Sequence, residues 1–348
     1  MISREYASFA RLCHGSTLQQ RIQMAGKSIL VTGGTGSFGA NFVKSCLRTK
    51  KYSKVVIFSR DELKQYELKQ TLGDDERLRW FIGDIREENR LRRAFQGIDL
   101  VVHAAALKQV DTAEYNPFEF VKTNVFGSQN VIDAAIDAKV SKVIALSTDK
   151  ASSPINLYGA TKLTADKLFI SGNHYGRPQG TTFSVVRYGN VVNSRGSVVP
   201  LLQNQRAQGK PFTITDDRMT RFWLSLDFAV EFVEQSLERM TGGELFVPKI
   251  PSMKIVDLIA SIDSQWPVKA IGIRPGEKLH EEMISLDEGR RAFEFKNYFV
   301  VLPSTYESSS EFAGGKIVPE GFRFSSDNNS EWLTSEQIKQ LIGQNQMS

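Results

Sequence analysis

The chain has 348 residues, of which 41% are hydrophobic and 24% charged, a composition typical of a globular protein with a substantial core. Its net charge of +5 comes from 44 basic and 39 acidic residues without a long run of like charges, which argues against a nucleic-acid partner and favours an anionic small ligand. Two cysteines, four histidines without paired spacing and no apolar stretch of about 20 residues argue against a disulfide scaffold, a metal site and a membrane span. We therefore expect a metal-free cytoplasmic protein.

Residues 1–23 contain several arginines and serines, a single acidic residue and no continuous apolar core. They do not have the pattern of a secretory signal. A disordered extension ahead of a start near Met24 is the favoured interpretation, and a transit-like segment is the alternative. The fold prediction leaves this segment out.

From Lys27 onwards, short β-rich runs alternate with longer segments of helical periodicity. The runs are SILVT, KVVIF, LRWFIGD, IDLVVHAA, SKVIALST and FSVVRYG. Strands separated by helix-length crossovers indicate βαβ units, and their high apolar density suits a parallel sheet covered on both faces. The predicted fold class is α/β, a doubly wound Rossmann sheet with a smaller substrate-binding region.

The alternation weakens after Gly189, where turn residues accumulate, and then a helical segment and the strand GELFVPK follow. Residues 25–190 and about 224–248 include these strands and the glycine-rich stretch TGGTGSFG after the first of them, so we assign them to a dinucleotide-binding domain. Residues about 191–223 and 249–340 are assigned to a substrate-binding region lying over the end of the sheet.

A glycine-rich loop, TGGTGSFG at residues 32–39, connects the first strand to a helix. Glycines allow a tight turn and a close approach to a pyrophosphate, and the helix N-terminus offers free N–H groups. A glycine turn without a ligand is the alternative. The predicted cofactor contacts in this loop are Gly33, Thr35, Gly36, Ser37, Phe38 and Gly39.

The second strand ends in Ser59-Arg60-Asp61, about 20 residues after the loop, where NAD-binding proteins carry an acidic residue. Ser59 and Arg60 instead favour NADP, because an arginine pairs with a 2′-phosphate. The alternative is that Arg60 is a surface charge and Asp61 caps the next helix.

Further cofactor contacts are predicted where the next strands end. Asp84 and Ile85 follow the third strand, and the Asp84 carboxylate can accept a hydrogen bond from an adenine amino group; a turn or cap role is the alternative. Small side chains after the fourth strand let a cofactor approach the backbone, although packing explains them nearly as well. The remaining predicted contacts are Ala104, Ala105, Lys108 and Asn124.

The segment LSTDKASSPINLYGATK, residues 146–162, places proton-transferring groups after the fifth strand. Thr148, Asp149 and Lys150 lie at its carboxyl end, where open α/β sheets bind ligands. Tyr158 and Lys162, four residues apart on the next helix, share one face. A lysine beside a tyrosine favours the phenolate, which can take a proton from a substrate hydroxyl while a hydride leaves the same carbon. The alternative is an ordinary helix face.

Together these motifs resemble an extended short-chain dehydrogenase/reductase, and the details resemble the inverting UDP-N-acetylglucosamine 4,6-dehydratase family of bacterial pseudaminic acid and polysaccharide biosynthesis. The resemblance spans roughly residues 25–340. It rests on TGGTGSFG together with SRDELKQ, AAALKQV, EYNPFE, STDKA, SPINLYGATK, RYGNVV, MTRFW, VPKIPSMK and RPGEKLHE.

The resemblance implies a three-step reaction. Tyr158 assists oxidation at C4, an uncharged Lys150 removes the C5 proton while a protonated Asp149 helps the C6 hydroxyl leave, and hydride returns to C6 from an NADP that is recycled each turnover. Reprotonation at C5 from the opposite face gives the inverted 4-keto-6-deoxy sugar. We expect desolvation to favour the protonated acid and the neutral amine; a surface ion pair is the alternative.

The resemblance also implies UDP-N-acetylglucosamine as substrate and a homo-oligomer. Its predicted contacts are Lys108, Asn190, Arg195, Arg218 and Arg274, because arginine binds diphosphates with two nitrogens. Asn193 departs from the glycine typical of the family, and Tyr158 separates the chain from a membrane-anchored retaining group with methionine there.

Two other functions stay open from the sequence. A sugar-nucleotide epimerase or reductase of the same fold would not need the Asp149–Lys150 pair. A non-catalytic NADP-binding protein would need neither this pair nor Tyr158 and Lys162. The fold alone does not choose among these functions.

Overall fold

The computed structural model describes residues 24–192, 197–305, 311–312 and 314–343. The predicted extension at residues 1–23 and the predicted substrate contact Arg195 lie outside these ranges. In the described part of the chain, no helix is both long enough and apolar enough to cross a membrane.

Within the described ranges, eighteen short strands form one large sheet and three small ones. The strands are β1 Ser28–Thr32, β2 Lys54–Ser59, β3 Leu78–Ile82, β4 Leu100–His103, β5 Lys142–Thr148, β6 Thr182–Tyr188, β7 Asn190–Val191, β8 Phe212–Ile214, β9 Thr220–Leu224, β10 Leu245–Pro248, β11 Ser252–Lys254, β12 Val268–Ala270, β13 Glu282–Ile284, β14 Ala292–Glu294, β15 Tyr298–Val301, β16 Glu311–Phe312, β17 Gly315–Ile317 and β18 Phe324–Ser325.

The helices connect these strands and cover the large sheet. The α-helices are α1 Ser37–Thr49, α2 Glu62–Leu72, α3 Glu88–Ala94, α4 Val110–Tyr115, α5 Pro117–Phe120, α6 Gly127–Asp137, α7 Leu157–Ser171, α8 Asn173–Gly176, α9 Val198–Ala207, α10 Leu226–Arg239, α11 Ile255–Asp263, α12 Leu286–Gly289 and α13 Ser335–Gly343. A π-helical turn at Val121–Phe126 precedes α6, and a 3₁₀ turn at Asp149–Ala151 follows β5.

Seven strands of the large sheet are parallel, in the order β10-β6-β5-β4-β1-β2-β3. Alternate residues of β1 pack into two different apolar cores: Leu30 into one, and Ile29 and Val31 into the other. The sheet is therefore covered on both faces, and the predicted doubly wound α/β fold is confirmed. The strand order reverses between β1 and β4, whose carboxyl ends lie side by side, and ligands bind at such a point in this fold class.

The sheet also extends beyond its predicted limit. Strands β15, β14, β17 and β16 continue it in antiparallel fashion after β10, and they come from the range 249–340 that was assigned to the substrate-binding region. A separate smaller core contains Leu202 of α9, Trp223 of β9 and Leu258 of α11. The division of the chain into two regions stays a prediction, but the sheet itself crosses the predicted boundary.

A buried arginine joins the sheet to the segment that follows residue 280. Arg187 of β6 is 1% exposed; its guanidinium donates hydrogen bonds to the Met283 carbonyl at 2.8 Å and to the Glu288 carboxylate at 2.8 and 3.0 Å. It also lies 3.3 Å from Asp166 of α7. A buried guanidinium needs such partners, so Arg187 fixes β13 and α12 against the sheet.

Replacing this arginine is expected to destabilise the fold. Arg187→Met leaves Asp166 and Glu288 buried without their cation, so the free energy of unfolding should fall by about 3–5 kcal/mol in urea denaturation. Arg290→Gln is the matched control, since Arg290 is 78% exposed and pairs only loosely with Asp287; its effect should stay within about 0.5 kcal/mol. Equal stabilities for the two variants would contradict the role of Arg187 in fixing β13 and α12 against the sheet.

Candidate active site

The glycine loop between β1 and α1 presses against the end of β4. Gly33 has a φ of +67°, and a Cβ there would lie 2.9 Å from the Ala105 Cα. Gly36 precedes α1 without a side-chain cap for the first turn. Because the loop is tight and its helix N-terminus is uncapped by a side chain, its backbone is suited to a pyrophosphate.

A cavity of about 1130 Å³ opens at the carboxyl ends of the parallel strands. The glycine loop and the ends of β2, β4 and β5 line it, together with parts of β9, α9 and the loop at residues 274–277. Most predicted site residues meet here: Gly33, Thr35, Gly36, Ser37, Phe38, Gly39, Ser59, Arg60, Ile85, Ala104, Ala105, Lys108, Thr148, Asp149, Lys150, Tyr158, Lys162, Asn190 and Arg274. No cluster of potential metal ligands occurs in the described ranges.

Two predicted cofactor contacts do not line the cavity. The Asp84 carboxylate is engaged by Arg86 at 2.7 Å and lies 3.7 Å from Arg60. Asn124 is 2% exposed, and its amide bonds the N–H and carbonyl of Leu107 and the Thr161 hydroxyl. Asn124 therefore holds the loop after β4 in place behind the site. The Asp84 carboxylate also accepts a hydrogen bond from the Arg86 N–H at 3.0 Å, as the turn alternative for Asp84 predicted, and its adenine contact stays a prediction.

The predicted contact Arg218 also lies away from the cavity. Its guanidinium binds Asp216 through two nitrogens, and its side chain is 67% exposed in the turn before β9. Arg221, three residues later in the buried strand, lines the cavity instead. Arg221 donates hydrogen bonds to the carbonyls of Lys278 and Leu279 at 2.9 and 3.0 Å, so it also anchors the segment that closes the site.

The end of β2 and the first turn of α2 bring two cations and one carboxylate to the cavity. Ser59 and Arg60 line it as predicted, and Lys64 of α2 joins them. Asp61 accepts a hydrogen bond from the Lys64 N–H at 3.0 Å and caps α2. The cap alternative considered for Asp61 is thus correct, and its carboxylate also pairs with Lys64 Nζ at 2.8 Å. Arg60 is 53% exposed and lies 3.7 Å from Asp84.

Tyr158 and Lys162 both lie on the buried face of α7, as their spacing predicted. Lys162 Nζ donates a hydrogen bond to the Leu146 carbonyl at 2.6 Å, and burial lowers the pKa of its amino group. Burial raises the pKa of Tyr158 to about 12, although the nearby Lys150 ammonium and a hydrogen bond with Thr148 oppose that shift. The tyrosine is therefore neutral in the ligand-free site at neutral pH.

Asp149 and Lys150 form a direct contact at the end of β5. Asp149 is 1% exposed and accepts hydrogen bonds from Lys150 Nζ at 3.1 Å and Thr148 Oγ1 at 2.9 Å. Burial raises the pKa of the Asp149 carboxyl, more than Lys150 lowers it. The expected shift of Asp149 towards its protonated form therefore agrees with the structure, and the surface-pair alternative does not.

The expected shift for Lys150 is wrong in this structure. Glu281, 2% exposed, places Oε1 3.1 Å from Lys150 Nζ, the same distance as Asp149 Oδ1. Burial alone would lower the pKa of Lys150, but the two carboxylates outweigh it and raise the pKa. Glu281 is the last residue of the quoted motif RPGEKLHE, but no local pattern indicates that it reaches Lys150.

Unpartnered polar atoms concentrate at the cavity. Nine buried side-chain nitrogen or oxygen atoms lack a hydrogen-bond partner within the described ranges, and six of them belong to cavity-lining residues: Thr123, Asp149, Asn190, Ser197, Trp223 and Glu281. Buried polar atoms normally have partners. The mixture of acceptors, hydroxyls and one indole N–H is therefore suited to a ligand rich in hydroxyl and amide groups.

Two relatives illustrate which curated proteins resemble the chain. The UDP-N-acetylglucosamine 4,6-dehydratase (inverting) of Campylobacter jejuni subsp. jejuni strain 81-176 is 51% identical over 326 residues, covering 91% of this chain and 97% of the relative. The UDP-glucose 4-epimerase of Rickettsia conorii is 40% identical over the same share of this chain and 95% of the relative. The first match confirms the resemblance drawn from the motifs.

Two solved structures share the fold. Pen from Bacillus thuringiensis is 38% identical, with a TM-score of 0.86 over 93% of this chain and 99% of that chain. DesIV, a dTDP-glucose 4,6-dehydratase from Streptomyces venezuelae solved with NAD bound, is 25% identical, with a TM-score of 0.64 over 72% of this chain and 86% of that chain.

The family described as "Polysaccharide biosynthesis protein" matches residues 29–303. This range holds the glycine loop, the strand ends, the Tyr158–Lys162 helix face and Glu281. Because one family match covers the whole cavity and most of the chain, the chain belongs to the polysaccharide biosynthesis protein family.

Proposed function

We propose that the chain is a C5-inverting UDP-N-acetylglucosamine 4,6-dehydratase that uses NADP. The observation that carries the proposal is the Asp149–Lys150 contact in the same cavity as Tyr158. Elimination of water needs an acid and a base beyond the groups that oxidise a sugar. The 51% identity to a dehydratase of this name supports the choice of substrate.

The glycine loop fits a dinucleotide, since a side chain at Gly33 would collide with Ala105 and the α1 N-terminus carries no side-chain cap. The NAD bound in DesIV supports a nicotinamide cofactor, and Arg60 with Lys64 favours the 2′-phosphate of NADP. A nicotinamide cofactor bound there would supply the hydride chemistry of the reaction, oxidation at C4 and reduction at C6.

The protein's own groups handle the protons of C4 oxidation and of water loss. Tyr158 takes the proton of the C4 hydroxyl, and Lys162, fixed to the Leu146 carbonyl, holds the adjoining ribose. The Lys150 amine then takes the C5 proton while the Asp149 carboxyl protonates the departing C6 hydroxyl.

The acid and the base need only one shared proton before elimination. An ammonium beside a carboxylate and an amine beside a carboxylic acid differ by the position of that proton, and the 3.1 Å contact allows its direct transfer from Lys150 to Asp149. After elimination Lys150 is again an ammonium and Asp149 again a carboxylate, so the proton count of the pair is restored.

A 4-epimerase is the second candidate, because the Rickettsia relatives at 39–40% identity carry that name. Epimerisation needs Tyr158 and a cofactor but no acid–base pair for water loss. A non-catalytic binding protein would need neither. The buried Asp149–Lys150 contact favours the dehydratase, while a homo-oligomer and a cytoplasmic location stay predictions from the sequence.

Lys150→Ala is expected to slow dehydration strongly, and because it leaves Asp149 and Glu281 without their shared cation, the melting temperature of the variant is measured alongside its activity. Proton NMR of UDP-N-acetylglucosamine with the purified protein in deuterated water should show a C6 methyl signal, deuterium at C5 and inverted ring couplings. The variant should form this product about 10²–10⁴-fold more slowly, as expected when a general base is lost. Lys69→Ala, an exposed lysine of α2, should match the wild type.

The same spectra separate the candidate functions. A 4-epimer without a methyl signal would move the protein to the epimerase function. Unchanged substrate from wild-type protein with confirmed bound NADP would overturn the substrate assignment.

Arg60→Ala is expected to weaken NADP selectively. Loss of a charge-assisted contact to the 2′-phosphate should raise the NADP dissociation constant by about 10- to 100-fold, with little change for NAD. Calorimetric titration of cofactor-free protein with each dinucleotide measures both values, and Lys69→Ala controls for the loss of one positive charge. Equal weakening of NAD and NADP would contradict the phosphate-binding role.

A further inference from the structure

Glu281 is a buried carboxylate at the active site for which the reaction described above has no use. It immediately precedes β13, and its backbone N–H and carbonyl are bonded to Ser326 at 2.9 and 2.8 Å. The segment before it is tied to β9 by the bond from the Thr220 N–H to the Leu279 carbonyl. The carboxylate is therefore held rigidly over the end of β5.

Only one of the two carboxylate oxygens of Glu281 has a partner. Oε1 contacts Lys150 Nζ at 3.1 Å and lies 3.8 Å from Arg221 Nε, while Oε2 is buried without a partner. Glu281 is one of the residues that line the cavity. Asp149 has the same arrangement on the other side of Lys150, with Oδ1 in contact and Oδ2 unpartnered. The amino group thus lies between two buried carboxylates, each with a free oxygen.

Charges from every neighbouring element act on this group. Asp149 and Glu281 favour the Lys150 ammonium, and Arg221 opposes it. Lys278, whose Nζ donates a hydrogen bond to the Ser152 carbonyl at 2.6 Å, lies near Glu281 and favours its ionised form. Tyr158 faces Lys150 from α7 and adds to the pull towards the ammonium only when ionised.

We propose that Glu281 is a positioning residue for proton transfer, which holds the Lys150 amino group beside Asp149 and determines how firmly that group keeps its proton. The proposal rests on the proposed function, because it assigns Glu281 a part in the same elimination. In the resting site Glu281 stabilises the ammonium of Lys150. The proton passes from Lys150 to the Asp149 carboxylate, the amine takes the C5 proton, and the acid gives its proton to the departing hydroxyl as the C6–O bond breaks.

Glu281→Gln tests this role because it removes the charge and keeps the shape. Without that anion the pKa values of both Lys150 and Asp149 fall, since Glu281 raises each of them. Both limbs of the pH–rate profile for product formation should therefore move to lower pH, by about 1–3 units, the range typical of a charge at this distance. Glu282→Gln is the matched control, since the Glu282 carboxylate binds Ser152 and Ser153 and does not contact Lys150.

A second measurement reads the amino group without turnover. Acetic anhydride modifies only neutral amines, so the pH dependence of Lys150 acetylation, quantified by peptide mass spectrometry, follows its protonation. Acetylation in Glu281→Gln should reach its midpoint at lower pH than in the wild type and in Glu282→Gln. If the folded variant forms no product at any pH, the acetylation midpoint alone shows whether Glu281 affects the protonation of Lys150.

The outcomes distinguish a failure of the role proposed for Glu281 from a failure of the proposed function. An acetylation midpoint that falls to lower pH in Glu281→Gln, but not in Glu282→Gln, supports the proposal. A variant that melts near the wild-type temperature and binds cofactor, yet keeps the wild-type pH–rate limbs and acetylation midpoint, would show that Glu281 is structural only and overturn it. Wild-type protein that yields no dehydrated sugar would refute the proposed function, and the acetylation midpoints would still test the contact.

Discussion

Burying an ammonium group costs free energy unless anions compensate it, and the site depends on this constraint. Lys150 is 22% exposed in its side chain and contacts Asp149 from its own strand end and Glu281 from a segment 131 residues later. The two carboxylates together compensate the charge of the amino group. The chemistry at β5 is therefore complete only when the segment before β13 has folded over the sheet.

Two buried arginines hold the segment around Glu281 against the sheet. Arg187 binds the Met283 carbonyl and the Glu288 carboxylate from β6, and Arg221 binds the carbonyls of Lys278 and Leu279 from β9. A guanidinium has five donors in a fixed plane, which suits it to several carbonyls at once. Each arginine gains buried acceptors and the segment gains a fixed position, so the ion pair and its support are parts of one network.

The parallel sheet and its strand-end residues were predictable because both follow from local patterns. Apolar runs of strand length mark β1 to β6, and the carboxyl end of a parallel strand must carry whatever follows it, so Thr148 and Asp149 had to lie at the ligand-binding edge. The spacing of Tyr158 and Lys162 fixes them on one helix face. These inferences use only neighbours in sequence, and the structure agrees with them.

Other predictions failed because their outcome depends on how distant parts of the chain pack together. Arg218 was chosen from its motif, but β9 begins two residues later and takes Arg221, not Arg218, into the cavity. Strands β14 and β15 pair with the large sheet across a long connection, which periodicity cannot indicate.

The charge state of Lys150 shows the same limit in chemical terms. Sequence places one carboxylate beside the lysine, and burial of such a pair favours two neutral groups. The second carboxylate, Glu281, reverses the direction of the pKa shift for Lys150, because it is a counter-ion to the ammonium. It does not reverse the shift for Asp149, because there it is a like charge and raises the pKa further. A site that must supply both an acid and a base thus keeps the acid close to its working form and stores the base with its proton. In the proposed mechanism the active pair then arises by a single proton transfer across the 3.1 Å contact between Lys150 and Asp149.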